Sequence, residues 1–141
     1  MYDRILVAIE HSAADGTILA HVSELARTTR SRLLLLHVAD GWAARAYDEL
    51  ALRESEEMKD DREYLERLST ELTEQGLPTE WRLGLGDPAS VIIQTAEQEH
   101  VDLVAMATHG HRLIGDLLRG TTVNKVRHDL AIPVLLVKAR P

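Results

Sequence analysis

Several residue types and segments are missing from this chain of 141 residues, and each absence excludes a class of protein. There is no cysteine, which excludes disulfide frameworks, thiol catalysis and cysteine-ligated metals. Phenylalanine is absent and aromatic residues make up 4%, so aliphatic side chains must form the core. No apolar run approaches the roughly 20 residues of a membrane span, and the run after Arg4 is too short for a signal peptide. We therefore expect a cytoplasmic protein with no membrane partner.

Positive charge is also scarce. The chain has 16 Lys and Arg residues against 23 Asp and Glu residues, a net charge of −7. This balance argues against a nucleic acid or an anionic membrane bound through general electrostatics. A hydrophobic content of 45% and a charged content of 28% are typical of a globular protein. The length predicts a single domain that covers residues 1–141.

Strands alternate with helices along the chain. Three stretches, residues 5–9, 33–38 and 103–107, are almost wholly aliphatic, as in strands buried on both faces. Residues 79–85 alternate polar and apolar side chains, which predicts an edge strand, and residues 133–137 form the last strand. Helices are predicted at residues 13–29, 44–75, 87–99 and 121–130.

This alternation predicts an α/β fold: a single-domain, Rossmann-like open sheet of five parallel strands, with helices on both faces. A ligand of such a sheet lies at the carboxyl ends of the strands, where the strand order reverses. We interpret the densely charged segment 48–74 as a solvated helix face. His37 is expected in or beside the sheet as a hydrogen-bonded core residue.

The end of the fourth strand carries the most ligand-binding features. Gly110 follows the strand closely, and Gly120, Thr121 and Thr122 precede or open the last helix after a loop with a short helical piece at 113–118. Glycine permits close approach of a ligand, and a helix N-terminus offers unpaired N–H groups. These features suit a phosphate, although a plain turn and helix cap explains them equally well. The P-loop motif and the Rossmann dinucleotide fingerprint are both missing.

The spacing from Ala107 through Gly110 to Gly120-Thr121 resembles the G-x2-G-x9-G-[ST] motif of ATP-binding universal stress proteins. The resemblance covers the whole chain and includes Leu36-His37-Val38, Gly86-Asp87-Pro88 and the segments 5–12, 102–110 and 133–137. It implies the strand order 3-2-1-4-5, a homodimer and, in one subgroup, ATP at the ends of the first and fourth strands. Three residues depart from the family pattern: Ala107 replaces the first glycine, Glu10 replaces an aspartate, and His11 replaces a small residue.

The resemblance also implies a set of site residues. The ribose hydroxyls would donate to Glu10, and the backbone of Val38 would contact the adenine edge. The phosphates would lie against both glycines and against backbone N–H groups of the following loop and of the last helix. The full expected set is Glu10, His11, Val38, Ala107, His109, Gly110, His111, Arg112, Gly120, Thr121 and Thr122.

Three functions follow from these observations. The leading one is a regulatory protein of the stress response that binds ATP, or another adenine nucleotide, with or without Mg²⁺, and is not an enzyme. The second is a family member that binds no nucleotide and acts as an interaction module for an unknown protein partner. The third is a slow ATPase.

Catalytic and metal sites receive little support from the sequence. Ser12 lies next to His11, but adjacent residues rarely orient toward each other and no third group to orient them is evident. His11, His109 and His111 could share one rim of the sheet and bind a transition metal, but only Glu10 would support them. No catalytic residue and no metal site are therefore expected.

The last strand predicts an interface. In the order 3-2-1-4-5 it is an edge strand, and its apolar residues would be exposed there to other chains. Pairing of this edge with its own copy across a two-fold axis would give a homodimer. Alternatively, residues 139–141 or a neighbouring helix cover the edge within one chain. The expected interface residues are Val134, Leu135, Leu136 and Val137.

Overall fold

The computed structural model describes residues 1–39, 51–109 and 120–140, and within them strands and helices alternate as predicted. The predicted helical residues 44–50 and the short helical piece at 113–118 lie outside this part of the chain. No helix within it is long and apolar enough to cross a membrane. The elements are β1 (Arg4–Ala8), α1 (Ala14–Thr29), β2 (Arg32–Ala39), α2 (Ala51–Glu74), β3 (Thr79–Leu85), α3 (Pro88–Gln98), β4 (Leu103–Thr108), α4 (Gly120–Asp129) and β5 (Val134–Lys138).

The five strands form one parallel sheet in the order β3-β2-β1-β4-β5, which confirms the predicted order. The central strand β1 pairs with β2 on one side, where Leu6 lies opposite Leu34. On its other side Leu6 lies opposite Val104 of β4. The strands β2 and β3 therefore lie on one side of β1, and β4 and β5 lie on the other side. The strand order reverses between β1 and β4.

Two core clusters cover the two faces of the sheet. Ile5 and Val7 of β1 pack with α1 and α2, whereas Leu6 and Ala8 pack with α3 and α4, and all four are buried. Full burial of an aliphatic side chain stabilises the fold by about 1.5–3 kcal/mol. The aliphatic run that opens the chain is thus the centre of both clusters, as expected for a strand covered on both faces.

The two sheet edges differ in character. On β3 the exposed residues Glu80 and Arg82 alternate with half-buried apolar residues, which confirms the predicted edge strand. On β5 residues 134–137 are all half-buried. The strand begins at Val134 rather than at the predicted Pro133, since proline has no N–H for the ladder, although its carbonyl accepts from the N–H of Val104 at 3.1 Å.

The amino ends of the strands are joined by a polar network. The carboxylate of Asp102 accepts hydrogen bonds from the N–H groups of Asp3 and Arg4, at 2.8 and 3.0 Å. The guanidinium of Arg4 pairs with Glu80 and Glu99, each at 2.8 Å. These contacts hold β1 against its neighbours at the edge opposite the expected ligand site.

Candidate functional site

The candidate site lies where the strand order reverses, at the neighbouring carboxyl ends of β1 and β4. Val7 pairs with Ala105, so both strands end at the same edge of the sheet. The first leads to Glu10 and the second to His109. Because α4 connects the end of β4 with the start of β5, the helix begins at this edge too. A crevice of this kind is where ligands of open α/β sheets bind.

Glu10 and His109 are bonded to each other across this crevice. The Nε2 atom of His109 lies 2.7 Å from Oε1 and 2.8 Å from Oε2 of Glu10. The Glu10 side chain is 0% exposed and that of His109 is 16% exposed. A buried carboxylate requires such a polar partner to offset its desolvation. Glu10, the residue expected to accept from the ribose hydroxyls, therefore already has His109 as a partner.

A second carboxylate, Asp15, organises the loop between β1 and α1. It accepts hydrogen bonds from the N–H groups of Glu10 at 2.9 Å and Ser12 at 3.1 Å, and from the Tyr64 hydroxyl at 2.6 Å. Asp15 is 2% exposed and lies in the first turn of α1, where the helix dipole favours negative charge. Burial and the bond to Asp15 raise the pKa of Tyr64 well above 10, so its hydroxyl remains a donor. Asp15 thus fixes the backbone that carries Glu10.

Next to this loop lies a group of side chains that we name the imidazole cluster: His11, His37, Asp61 and Tyr64. Nδ1 of His11 is 2.7 Å from Oδ1 of Asp61, and Nε2 of His37 is 3.5 Å from Oδ2 of the same carboxylate. The His11 ring stacks on Tyr64, with centroids 3.9 Å apart. His11 has a left-handed backbone (φ 62°), a conformation more common for histidine than for most residues. Its ring therefore packs against α2.

Two members of the imidazole cluster, His37 and Asp61, favour their charged forms. Burial lowers the pKa of His37, but its bonds to Asp61 and to the Ile9 carbonyl, with the charges of Asp61 and Asp15, outweigh burial and raise this pKa above its ordinary value. Burial raises the pKa of Asp61, yet bonds to His37 and His11 and their charges more than offset it and hold that pKa below its ordinary value. The two groups support each other as an ion pair.

The structure confirms one sequence prediction here and corrects another. His37 is a hydrogen-bonded core residue as predicted: it is 4% exposed, and its Nδ1 lies 2.7 Å from the carbonyl oxygen of Ile9. The interpretation of segment 48–74 as a solvated face is wrong for Asp61 and Tyr64, which face the β1–α1 loop. Asp61 stands four residues before the buried Leu65, on the same helix face, so a carboxylate aligned with the apolar stripe was the available signal.

The remaining expected residues divide into three groups. Ala107 is 1% exposed and packs in the core cluster on the α1 face, so its methyl group is accommodated by the core. Val38 is buried near the end of β2. The helix α4 begins at Gly120, one residue earlier than predicted. Beside that helix start Thr121 is exposed and Thr122 half-buried. Outside the described residues lie Gly110, His111 and Arg112.

Metal binding finds no support in the described ranges. Within residues 1–39, 51–109 and 120–140, no three His, Asp or Glu side chains are arranged so as to hold a metal ion. His109 bonds to Glu10, whereas His11 bonds to Asp61, so these two imidazoles contact different carboxylates.

Comparison with known proteins assigns the family. A sequence profile of the universal stress protein family matches residues 1–138. The chain belongs to the universal stress protein family. A universal stress protein of Thermus aquaticus is 32% identical over 143 residues, which cover 98% of this chain and all of that protein. The family and the fold of this universal stress protein thus agree with the family resemblance seen in its sequence.

Solved structures show the same architecture. The structure of protein MJ0577, a universal stress protein of Methanocaldococcus jannaschii, superposes with a TM-score of 0.82 at 27% identity, covering 100% of this chain and 99% of that chain. A universal stress protein of Archaeoglobus fulgidus, solved in complex with dAMP, superposes with a TM-score of 0.72 at 20% identity, covering 97% and 98%. The second likeness concerns the fold alone. That relative binds an adenine nucleotide.

Proposed function

We propose that this universal stress protein binds an adenine nucleotide, ATP or a close relative with or without Mg²⁺, and acts as a cytoplasmic regulatory protein of the stress response rather than as an enzyme. The observation that carries the proposal is the buried Glu10 carboxylate at the reversal of strand order, beside the start of α4. The Archaeoglobus relative bound to dAMP supports the same ligand class.

The geometry suits the parts of a nucleotide. The Glu10 carboxylate accepts hydrogen bonds, so it suits the ribose hydroxyls. The start of α4 at Gly120 and Thr121 offers unpaired N–H groups and the positive end of the helix dipole to the phosphates. The end of β2, with Val38, lies on the other side of β1 and suits the adenine. The methyl group of Ala107 packs in the core cluster on the α1 face.

Calorimetry with ATP and Mg²⁺ tests this proposal. We expect binding by the natural protein and at least tenfold weaker binding by Glu10→Gln, since a hydrogen bond to a charged group contributes about 1.5–3 kcal/mol. Glu24→Gln, an exposed change on α1, is the matched control and should bind as the natural protein does. Absence of heat and of a thermal shift at millimolar ATP would contradict the proposal.

One observation favours the interaction module instead. His109 bonds to both oxygens of Glu10, so the proposed acceptor of the ribose hydroxyls already has a partner. If the Glu10–His109 pair excludes the ligand, the natural protein binds no nucleotide, whereas the His109→Ala variant binds it. If the pair opens on binding, His109→Ala changes the affinity of a site that already works. Phosphate release measured in the same samples would reveal a slow ATPase.

We also propose that two copies pair through β5. Beyond β5 the described part of the chain supplies no further strand. A groove of about 860 Å³ runs between this edge and α1, and its lining includes Ala20, Leu135 and Val137. Apolar edges of this kind favour pairing with another chain. An antiparallel pair of β5 strands would give a closed dimer.

A further inference from the structure

His37 lies between two groups that only accept hydrogen bonds. Its Nδ1 atom is 2.7 Å from the carbonyl oxygen of Ile9, and its Nε2 atom is 3.5 Å from Oδ2 of Asp61. A carbonyl and an ionised carboxylate have no proton to give. A neutral imidazole carries one N–H, so it satisfies one of the two acceptors and turns a lone pair toward the other. Only the protonated ring can donate to both.

The titratable groups around His37 come from three neighbouring elements. α1 contributes Asp15, α2 contributes Asp61 and Tyr64, and the β1–α1 loop contributes His11. On β3 the residue opposite His37 is Leu83, which has no charge. The two carboxylates act in the same direction and favour a proton on the ring. Further out on α2, Arg67 lies over the Tyr64 ring, 5.5 Å from its centroid.

The proton on His37 therefore adds to the hydrogen bonds to Asp15 that hold the β1–α1 loop. Ile9 immediately precedes Glu10, and Asp61 also holds His11 in the same loop. When His37 is protonated, β1, β2, α2 and the loop are joined through one ring. When it loses the proton, either the bond to Ile9 or the contact with Asp61 is lost. His37 also directly precedes Val38, so it connects the residues proposed for ribose and adenine.

We propose that proton uptake by His37 locks the β1–α1 loop onto β2 and α2 and thereby tightens nucleotide binding, an inference that rests on the proposed function for its ligand. The locked loop holds Glu10 in its binding position before the ligand arrives, so less ordering is needed on binding. Acidification then increases the share of protein with bound nucleotide. The affinity of the protein for the nucleotide therefore increases when the pH falls near neutrality.

The direction of the pH effect follows from the two pKa shifts. The pKa of His37 is raised in the folded protein, so its stabilising contribution is complete below about 6.5, the ordinary histidine value, and is lost as pH rises through the folded value. The pKa of Asp61 is lowered, so its contribution is complete above the ordinary aspartate value and is lost as pH falls through the lower folded value. Both contributions are therefore complete in the mildly acidic range between the ordinary aspartate and histidine pKa values.

Asp61→Asn is the informative variant. The amide introduced by this change can donate to the Nε2 atom of a neutral His37 while its oxygen still accepts from His11. The neutral ring then satisfies both neighbours, and the requirement for a proton disappears without loss of the contacts. His37→Asn is a second variant, since its short amide can donate to Ile9 but has no titrating ring. His128→Asn is the matched control, because His128 contacts Asp129 at 2.9 Å but is 88% exposed.

The first measurement uses the nucleotide-free protein. The ring nitrogens of His37 and the backbone amides of residues 9–12 are followed by NMR from about pH 5 to about pH 9. We expect His37 to titrate above its ordinary value and the loop amides to shift with the same midpoint. In Asp61→Asn the His37 midpoint should fall, and in His37→Asn the loop transition should disappear, whereas His128→Asn should leave both unchanged. A His37 midpoint that is the same in Asp61→Asn as in the natural protein overturns the inference.

The second measurement compares ATP affinity near pH 6 and pH 8. Titration of the ligand's phosphate is common to all variants, so the natural protein is compared with Asp61→Asn. We expect the dissociation constant at pH 8 divided by that at pH 6 to be on the order of fivefold larger in the natural protein than in Asp61→Asn. Equal ratios overturn the coupling to nucleotide. If neither protein binds ATP at any pH, the proposed function fails, and the NMR titration still decides whether the proton lock exists.

Discussion

Removal of the Asp15 carboxylate by Asp15→Ala should destabilise the protein more than any surface substitution. The carboxylate accepts three hydrogen bonds, from the N–H groups of Glu10 and Ser12 and from the hydroxyl of Tyr64. A hydrogen bond to a charged acceptor contributes about 1.5–3 kcal/mol, and a buried donor left unpaired costs about 1–3 kcal/mol. The N–H of Glu10 is buried, whereas Ser12 and Tyr64 are half-buried and partly reached by water. We therefore expect a loss of about 3–5 kcal/mol.

Urea unfolding followed by far-ultraviolet circular dichroism measures this loss. For a domain of this size about 3–5 kcal/mol corresponds to a fall in Tm on the order of 10 °C or more. Tyr64→Phe should cost less, about 1.5–3 kcal/mol, because one hydrogen bond to the charged acceptor is lost. The double variant should lose less than the sum of the single losses, since both changes remove the same bond. Asp87→Ala, which removes an exposed cap of α3, is the control and should cost about 1 kcal/mol.

Two results would refute this account of Asp15. One is an Asp15→Ala variant within about 1 kcal/mol of the natural protein, because water would then replace the carboxylate without cost. The other is strict additivity with Tyr64→Phe, which would show that the two groups do not interact in solution.

Three further variants have defined outcomes. Leu135→Lys together with Val137→Lys should raise the dimer dissociation constant by orders of magnitude in light scattering; an unchanged dimer would place the interface elsewhere. Gly120→Val should abolish ATP binding in calorimetry with the circular dichroism spectrum preserved, because a branched side chain blocks phosphate approach; unchanged affinity would contradict the phosphate role of α4. Asp102→Ala should lower the free energy of unfolding by about 1–3 kcal/mol in urea, and no change would show that its two backbone bonds are dispensable.

The sheet was predictable because its signals are local. The aliphatic run at 5–9 and the alternation at 79–85 each report burial directly, and the structure places them at the centre and at the edge. The strand order came from the family resemblance and is confirmed. The position of Glu10 after the aliphatic run was predictable as well, whereas its role in binding stays a prediction.

The contacts of the candidate site were not predictable, because they join residues that are far apart in the chain. His109 reaches Glu10 across 99 residues, and Asp61 reaches His11 across 50. Neither pairing has a periodic signature. Asp61 and Tyr64 lie within a segment whose many charges conceal two inward-facing residues. In such a segment, the position of a carboxylate relative to the apolar stripe is more informative than its charge.

The central position of β1 has a consequence for synthesis of the chain. β1 is made first and pairs with β2 soon afterwards, but its other edge waits for β4, and the contact that closes the carboxyl end spans 99 residues. At about 5–20 residues per second, this interval lasts about 5–20 s during translation. Throughout it, a strand that is aliphatic apart from Arg4 presents an unpaired edge to other nascent chains. The ribosome-bound chain is therefore the aggregation-prone form, and its yield should depend on chaperones more than the stability of the finished sheet would indicate.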